Sequence, residues 1–257
     1  MLAVVSPAKA LDFSPAPQGL PATQPVLFDQ TLMLAKTTRR LTKPKVAALM
    51  DLSDKLAELN VARFRTFAEE QSPENAKQAV LAFAGDTYRG LEAGTLCADD
   101  LAWAQDHLRM LSGLYGVLRP FDLIQPYRLE MGTRLATRRG ESLYDFWGDR
   151  VTTAINEALA GHDDPTLVNL ASIEYFSAVR PKKLAGPLVT PIFREERDGV
   201  AKIISFSAKK ARGMMARYII TQRLDRPEGM KDFTEEDYCF RPKASSERDW
   251  VFSRKAP

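Results

Sequence analysis

The sequence predicts a single mixed α/β domain spanning residues 1–257, a sheet surrounded by helices. Three features predict it. Short apolar runs bounded by turn residues stand at the start and in the last third. Leucine-rich stretches at spacings of three and four fill the middle, and no internal repeat or clean linker interrupts them. A chain of this length buries roughly three-quarters of its unfolded surface, and 45% hydrophobic with 27% charged residues is the balance of an ordinary globular protein.

In chain order, residues 2–5 read as a buried first strand ended by Ser6-Pro7. Pro15, Pro17, Pro21 and Pro25 with Gly19 make residues 14–25 a surface loop. Leu27, Leu32, Leu34 and Leu41 predict one amphipathic helix, and Val46, Leu49, Met50, Leu52 and Leu56 a second. Ser72-Pro73-Glu74 reads as a helix start, with a helix carrying Ala79, Val80 and Phe83 to Gly85. Asp99-Asp100 opens another through Leu101, Leu108 and Leu111 to Gly113. Residues 113–140, rich in Gly and Pro yet apolar, form a packed irregular segment, and residues 143–159 are helical again. Residues 166–170 form a strand. Residues 189–193 and 200–206 flank Asp198-Gly199 as a hairpin, a helix covers about 208–224, and residues 238–240 and 250–252 supply two late strands.

The sequence shows neither the pattern of a secretory signal nor the roughly 18–20 consecutive apolar residues that span a bilayer. The expected location is therefore cytoplasmic, without a membrane. Cys97 and Cys239, the two cysteines, are expected as free thiols. The net charge of +3 announces no global field, so electrostatic function has to come from local clustering.

Four segments carry such clusters. In Phe206-Ser-Ala-Lys-Lys-Ala-Arg-Gly a strand turns into a helix with Lys209, Lys210 and Arg212 at its start, where the helix field is already positive. That placement favours an anion nearby; a solvated basic face is the bland alternative. Ser6-Pro7-Ala8-Lys9 follows the first strand, at the strand end where open α/β sheets gather ligands. A surface lysine accounts for it equally. Residues 45–67 read as two short helices meeting at Ala57-Glu58-Leu59-Asn60, with Lys55, Arg63 and Arg65 around the junction. A hairpin of this kind aims amides at a DNA phosphate, and Asn60 tolerates the left-handed backbone the turn needs. An ordinary core-packed helical pair is the alternative. Tyr115, Arg119, Gln125, Tyr127, Arg128 and Glu130 combine arginines with aromatics, fit either to grip a phosphate or to edge the core. His107 and His162, the two histidines, pair with no cysteine at metal-ligand spacing, and His162 reads as solvent-facing. No metal and no cofactor is expected.

Taken together, several of these blocks resemble the YaaA peroxide stress resistance family. They are Ser6-Pro-Ala-Lys with Leu11-Asp12, Leu108-Arg-Met-Leu-Ser-Gly-Leu-Tyr-Gly-Val-Leu-Arg-Pro, Gln125-Pro-Tyr-Arg-Leu-Glu-Met-Gly, Leu143-Tyr-Asp-Phe-Trp, Asn169-Leu-Ala-Ser and Ile203-Ile-Ser-Phe-Ser-Ala-Lys-Lys-Ala-Arg-Gly. The resemblance runs from Met1 to about Phe252. It implies a cytoplasmic bacterial protein that protects against hydrogen peroxide and helps keep unincorporated iron low. It also implies a fold of unusual topology, a helix-hairpin-helix-like element, a basic cleft and binding of double-stranded DNA without sequence specificity. Carried to this sequence, the cleft takes Lys9, Arg119, Arg128, Lys209, Lys210 and Arg212, and the hairpin segment adds Lys55, Asn60 and Arg63. Two rivals stand beside DNA binding: an enzyme acting on a small phosphorylated or nucleotide ligand in the same cleft, and direct iron sequestration.

Overall fold

The computed structural model describes residues 1–17 and 19–256; Gln18, within the predicted proline-rich loop, and Pro257 lie outside the described residues. The first apolar run forms β1 (Leu2–Val5), every residue buried, and is followed by the short β2 (Ala10–Leu11). The described residues of the proline-rich segment contribute one isolated bridge, Thr23 to Asp122. Three helices follow: α1 (Phe28–Thr38), α2 (Lys43–Met50) and α3 (Asp54–Thr66). The turn of this helical pair differs from the expectation. It falls at residues 51–53, where Asp51 takes the left-handed backbone at φ 49°, and the expected junction at 57–60 lies inside α3. Ala57, Asn60, Val61 and Phe64 form one buried stripe, and the Asn60 side-chain amide donates to Leu56 O at 2.8 Å. A helical i−4 carbonyl thus takes up the side-chain nitrogen of the residue that the sequence suggested as a turn former, while its buried Oδ1 has no partner among the described residues.

Two further helices are shorter than predicted. After Ser72-Pro73 the chain forms β3 (Lys77–Gln78), a single turn α4 (Ala79–Ala82) and β4 (Phe83–Ala84) in place of one helix. Then come α5 (Asp86–Leu91) and α6 (Ala98–His107). Residues 108–112, expected at the end of that helix, are instead β5 (Leu108–Ser112). The packed irregular segment holds β6 (Gly116–Leu118) and β7 (Leu123–Ile124). The predicted helix over 143–159 is broken into α7 (Leu143–Trp147) and α8 (Arg150–Leu159) at Gly148, φ 53°. The rest comprises β8 (Leu167–Leu170), the one-turn α9 (Ile173–Phe176), β9 (Leu188–Arg197), β10 (Val200–Lys202), α10 (Ser205–Thr221), β11 (Cys239–Phe240) and β12 (Asp249–Lys255). The hairpin at Asp198-Gly199 is present, but its second strand stops at Lys202, and Ser205 and Phe206 already belong to α10. No helix among the described residues is long and apolar enough to cross a membrane.

The main sheet is mixed and eight-stranded, in the order β11-β12-β9-β8-β1-β5-β6, with β10 alongside β9. Its middle is parallel: β12 on β9, β9 on β8, β8 on β1 and β1 on β5. All five parallel strands therefore end at the same edge. From β1 the chain proceeds to β5 on one side, and from β8 it proceeds to β9 on the other. Such divergence leaves a crevice beyond the carboxyl ends of the two strands.

α10 packs against α5 through two glycines, Gly213 and Gly90. A Cβ on Gly213 would lie 1.7 Å from Thr87 O, and one on Gly90 would lie 2.1 Å from Lys210 O. Alanine is favoured over glycine in a helix interior by about 1 kcal/mol, but here backbone blocks it. Gly213→Ala is expected to lower stability by about 3 kcal/mol, the upper range for overpacking, as read by urea denaturation; an unchanged or raised midpoint would show that the two helices do not meet this closely.

His162 is not solvent-facing. It is half-buried against His107 at 4.7 Å between ring centroids, and His107 stacks on Trp103 at 3.5 Å. Burial lowers both imidazoles, the amino terminus of Met1 adds repulsion, and His162 is brought to about 4. An unfolded histidine titrates near 6.5. Below that pH the unfolded chain takes up protons that the folded chain declines, so His162 destabilises the fold progressively as pH falls from about 6.5 to about 4, His107 acts in the same direction, and both are neutral above that window. Thermal melts of His162→Asn should therefore lose less of their midpoint than the parent across that window; parallel curves would contradict the buried neutral imidazole.

Candidate functional site

The crevice beyond β1 and β8 is a cleft of about 420 Å³. Its floor is a link between the two strand ends. Ser172 N donates to Ser6 Oγ at 2.8 Å, and Ser6 Oγ lies 3.3 Å from Ser172 Oγ. Ser172 also caps α9, accepting from Tyr175 N at 3.4 Å. The buried Tyr88 of α5 donates to Ser6 O at 3.1 Å. Thus β1, β8, α5 and α9 are tied at one point, and α10 closes the remaining wall with Lys209 and Arg212.

The cations of this cleft differ in how they are neutralised. Lys9 lines it and lies 3.1 Å from Glu130 Oε2, while Arg128 donates to Glu130 Oε1 at 3.1 and 3.2 Å. One carboxylate therefore holds two cations. Lys209 is exposed, and among the described residues it forms no hydrogen bond or ion pair. Arg212 is half-buried and, among the described residues, likewise has neither. Its enclosure lowers the guanidinium pKa, because the charge loses water and gains no partner. Glu174 also lines the cleft, accepting from Gly132 N at 2.9 Å through Oε1, as does Asp86, 3.6 Å from Arg89. The phenol of Tyr175 is pushed up by burial.

The structure therefore brings Lys9, Lys209 and Arg212 to one cleft, with Arg128 adjoining through Glu130. It does not bring the other expected residues there. Arg119 makes a paired contact with Asp122, Nε at 3.0 Å and a terminal nitrogen at 2.9 Å, and also donates to Gln24 O at 2.9 Å. Asp122 is fully buried and accepts from Thr23 and from the Arg119 backbone as well, so this arginine braces the irregular segment. Lys210 points away from the cleft, into a separate cavity of about 250 Å³, and pairs with Glu236, which also holds Arg254 at 2.6 Å. Lys55, Asn60 and Arg63 lie on α3 and line neither cavity. The turn before α3 carries Asp51, Asp54 opens the helix, and Lys43 is taken up by Asp54 and Glu58 at 2.6 and 3.3 Å. A phosphate approaching that turn meets carboxylates. Tyr115 and Tyr127 are core residues: the Tyr115 hydroxyl accepts from Gln71 and from Gln125 N, and the Tyr127 hydroxyl bonds Ser112.

Sequence reading missed Ser6 and Ser172 as the floor, and Tyr88, Asp86 and Glu174 as walls. The usable signal was that two apolar strands, ending at Val5 and Leu170, each run within two residues into a serine. Among the described residues no group of three or more His, Cys, Asp or Glu side chains is placed to hold a metal ion.

Fold and site together define an α/β protein with a cleft, lined by Lys9, Lys209, Arg212, Asp86 and Glu174, at the switch point of a mixed sheet. A family model described as "Peroxide stress protein YaaA" matches residues 1–244. The chain is 55% identical over 259 residues to a UPF0246 protein of Azoarcus sp. (strain BH72), covering 99% of each, and 53% identical over 257 residues to one of Cellvibrio japonicus, covering 100% of each. A UPF0246 protein of Caulobacter vibrioides (strain NA1000 / CB15N) is 55% identical, again over 100% of both chains. The chain belongs to the YaaA peroxide stress protein family.

The Arg119 assignment is testable. Arg119→Ala strands a buried carboxylate, which costs about 3–5 kcal/mol, so the urea midpoint should fall sharply while the surviving folded protein keeps its affinity for anions; a lost affinity at full stability would put Arg119 back among the binding residues.

Proposed function

We propose that this protein, acting under peroxide stress, binds double-stranded DNA through its backbone, without sequence specificity, and thereby limits iron-driven damage. The observation that carries this reading is the convergence of Lys9, Lys209 and Arg212 on one cleft, the last with no counterion among the described residues. A half-buried guanidinium without an anion is costly, and a phosphate offers two oxygens that its planar fork can bind bidentately. Backbone contacts of this kind carry affinity and register but no sequence information. The link to iron follows from the same physics. Cations condense on DNA, and lysines and arginines that take over phosphates release them; ferrous iron among these is then no longer held where radicals would strike.

A second reading, a small phosphorylated ligand, is favoured by the cleft volume of about 420 Å³, within the range of small-molecule sites. Titration of duplex DNA at several salt concentrations separates the two. The DNA reading requires affinity that falls steeply with salt, and Lys209→Ala and Arg212→Ala should each weaken binding alike on all sequences and reduce the slope by about one. Unchanged slopes would remove the cleft from DNA binding, and a salt-insensitive ligand-specific thermal shift without duplex binding would favour the small-ligand reading.

A further inference from the structure

We infer that the unit seated in the cleft is a single unpaired nucleotide, its phosphate on Lys209 and Arg212 and its base against an apolar rim. This rests on the phosphate-binding reading of the cleft and adds to it the part of the ligand that the cleft recognises.

Size is the first reason. A cleft of about 420 Å³ has the size of a small-molecule site. A duplex cannot enter whole. A phosphate on its outside can touch the rim, but Arg212 is half-buried, whereas Lys209, three residues earlier in α10, is exposed. A group narrow enough to reach Arg212 is one nucleotide, supplied by a strand end or swung out of the stack.

The rim is the second reason. Ile173 sits between Ser172 and Glu174, which both line the cleft, and it is 89% exposed, the most exposed large apolar side chain among the described residues. Phe206 precedes Lys209 by one turn of α10 and is 56% exposed. Apolar side chains beside a cationic groove are what unstacked bases pack on, and isoleucine and phenylalanine are among the residues that wedge between base steps. Rim and groove are chemically complementary to one ligand class, an anionic phosphate joined to a flat apolar ring.

The carboxylates are the third reason. Asp86 and Glu174 share the cleft with the cations, and Glu174 has one oxygen left after bonding Gly132 N. They disfavour a ligand that is anionic throughout, such as pyrophosphate, and they accept from the exocyclic amine of a base or from a sugar hydroxyl.

Calorimetric titration of the full chain with deoxyadenosine monophosphate, inorganic phosphate and deoxyadenosine tests this, using the parent protein, Arg212→Ala and Phe206→Ala. Phe206 is exposed, so its substitution leaves the core untouched. The monophosphate should bind one to one and at least tenfold tighter than either fragment, Phe206→Ala should weaken it about tenfold without changing phosphate binding, and Arg212→Ala should weaken both. Phosphate binding as tightly as the nucleotide, with Phe206→Ala silent, overturns the inference while leaving a phosphate cleft. No binding of the monophosphate, with duplex affinity still lost in Arg212→Ala, overturns it and keeps the DNA reading. Nucleotide binding in the expected pattern by a protein that ignores duplex DNA upholds the inference and removes the DNA reading.

Discussion

Strand β1 has only four residues, and all of them are buried, with β8 on one edge and β5 on the other. Its backbone amides and carbonyls are therefore committed to the two ladders, and its aliphatic side chains to the two faces, as in parallel strands covered on both sides. The chain must leave this position abruptly. It does so at Ser6-Pro7, while β8, bonded to the same strand, leaves the other way through Ser172. What remains between them is a gap that helices cannot fill, because one runs toward each side. The hydrogen bonds from Ser172 N and Tyr88 to Ser6 hold that gap at fixed width. Every cation in the cleft is placed relative to this seam.

Charge alone would not have located it. The chain carries 36 basic and 33 acidic residues, and most of the arginines and lysines singled out above are neutralised where they stand. Asp122 takes Arg119, Glu236 takes Lys210 and Arg254, and Asp54 with Glu58 takes Lys43. The exposed pairs among these contribute little to stability, while the buried Asp122 makes its pair with Arg119 a structural one; all of them decide which cations are free to meet a ligand. Arg212 differs because the fold removes water from it without supplying an anion. Such a group is stabilised only when something negative arrives, so its placement points to binding and not to bracing.

How far the sequence revealed this depends on the residue. Apolar strands β1 and β8, the hairpin at Asp198-Gly199 and the helical character of 28–66 follow from pattern and turn chemistry; Lys9 stands out in the sequence as a lysine after a strand end, and Lys209 and Arg212 as cations at a helix start. Leu108–Ser112 was lost to a helix because Leu101, Leu108 and Leu111 keep helical spacing, and a doubly covered strand shows no alternation to contradict it. Asn60 was misplaced for the opposite reason: its side chain favours turns in isolation, yet the buried stripe of Ala57, Val61 and Phe64 holds the helix through it. Arg119 and Lys210 were assigned to the cleft by type, and only the fold shows the carboxylates that meet them.

The same limit explains why the walls escaped notice. Tyr88, Asp86 and Glu174 stand far from Lys9 and Arg212 in sequence, in elements of six residues or fewer, where no periodicity develops. The placement of Asp86 and Tyr88 depends on Gly90 and Gly213, whose missing side chains let α5 lie against α10 at backbone contact distance. A larger residue at either position would push α5 outward, carrying Asp86 and Tyr88 with it, loosen the bond to Ser6 and widen the cleft on the side opposite α9. The two glycines touch neither the strand ends nor any ligand. They nevertheless set how closely Arg212 and the carboxylates face each other, and hence whether the cleft is narrow enough to discriminate by size.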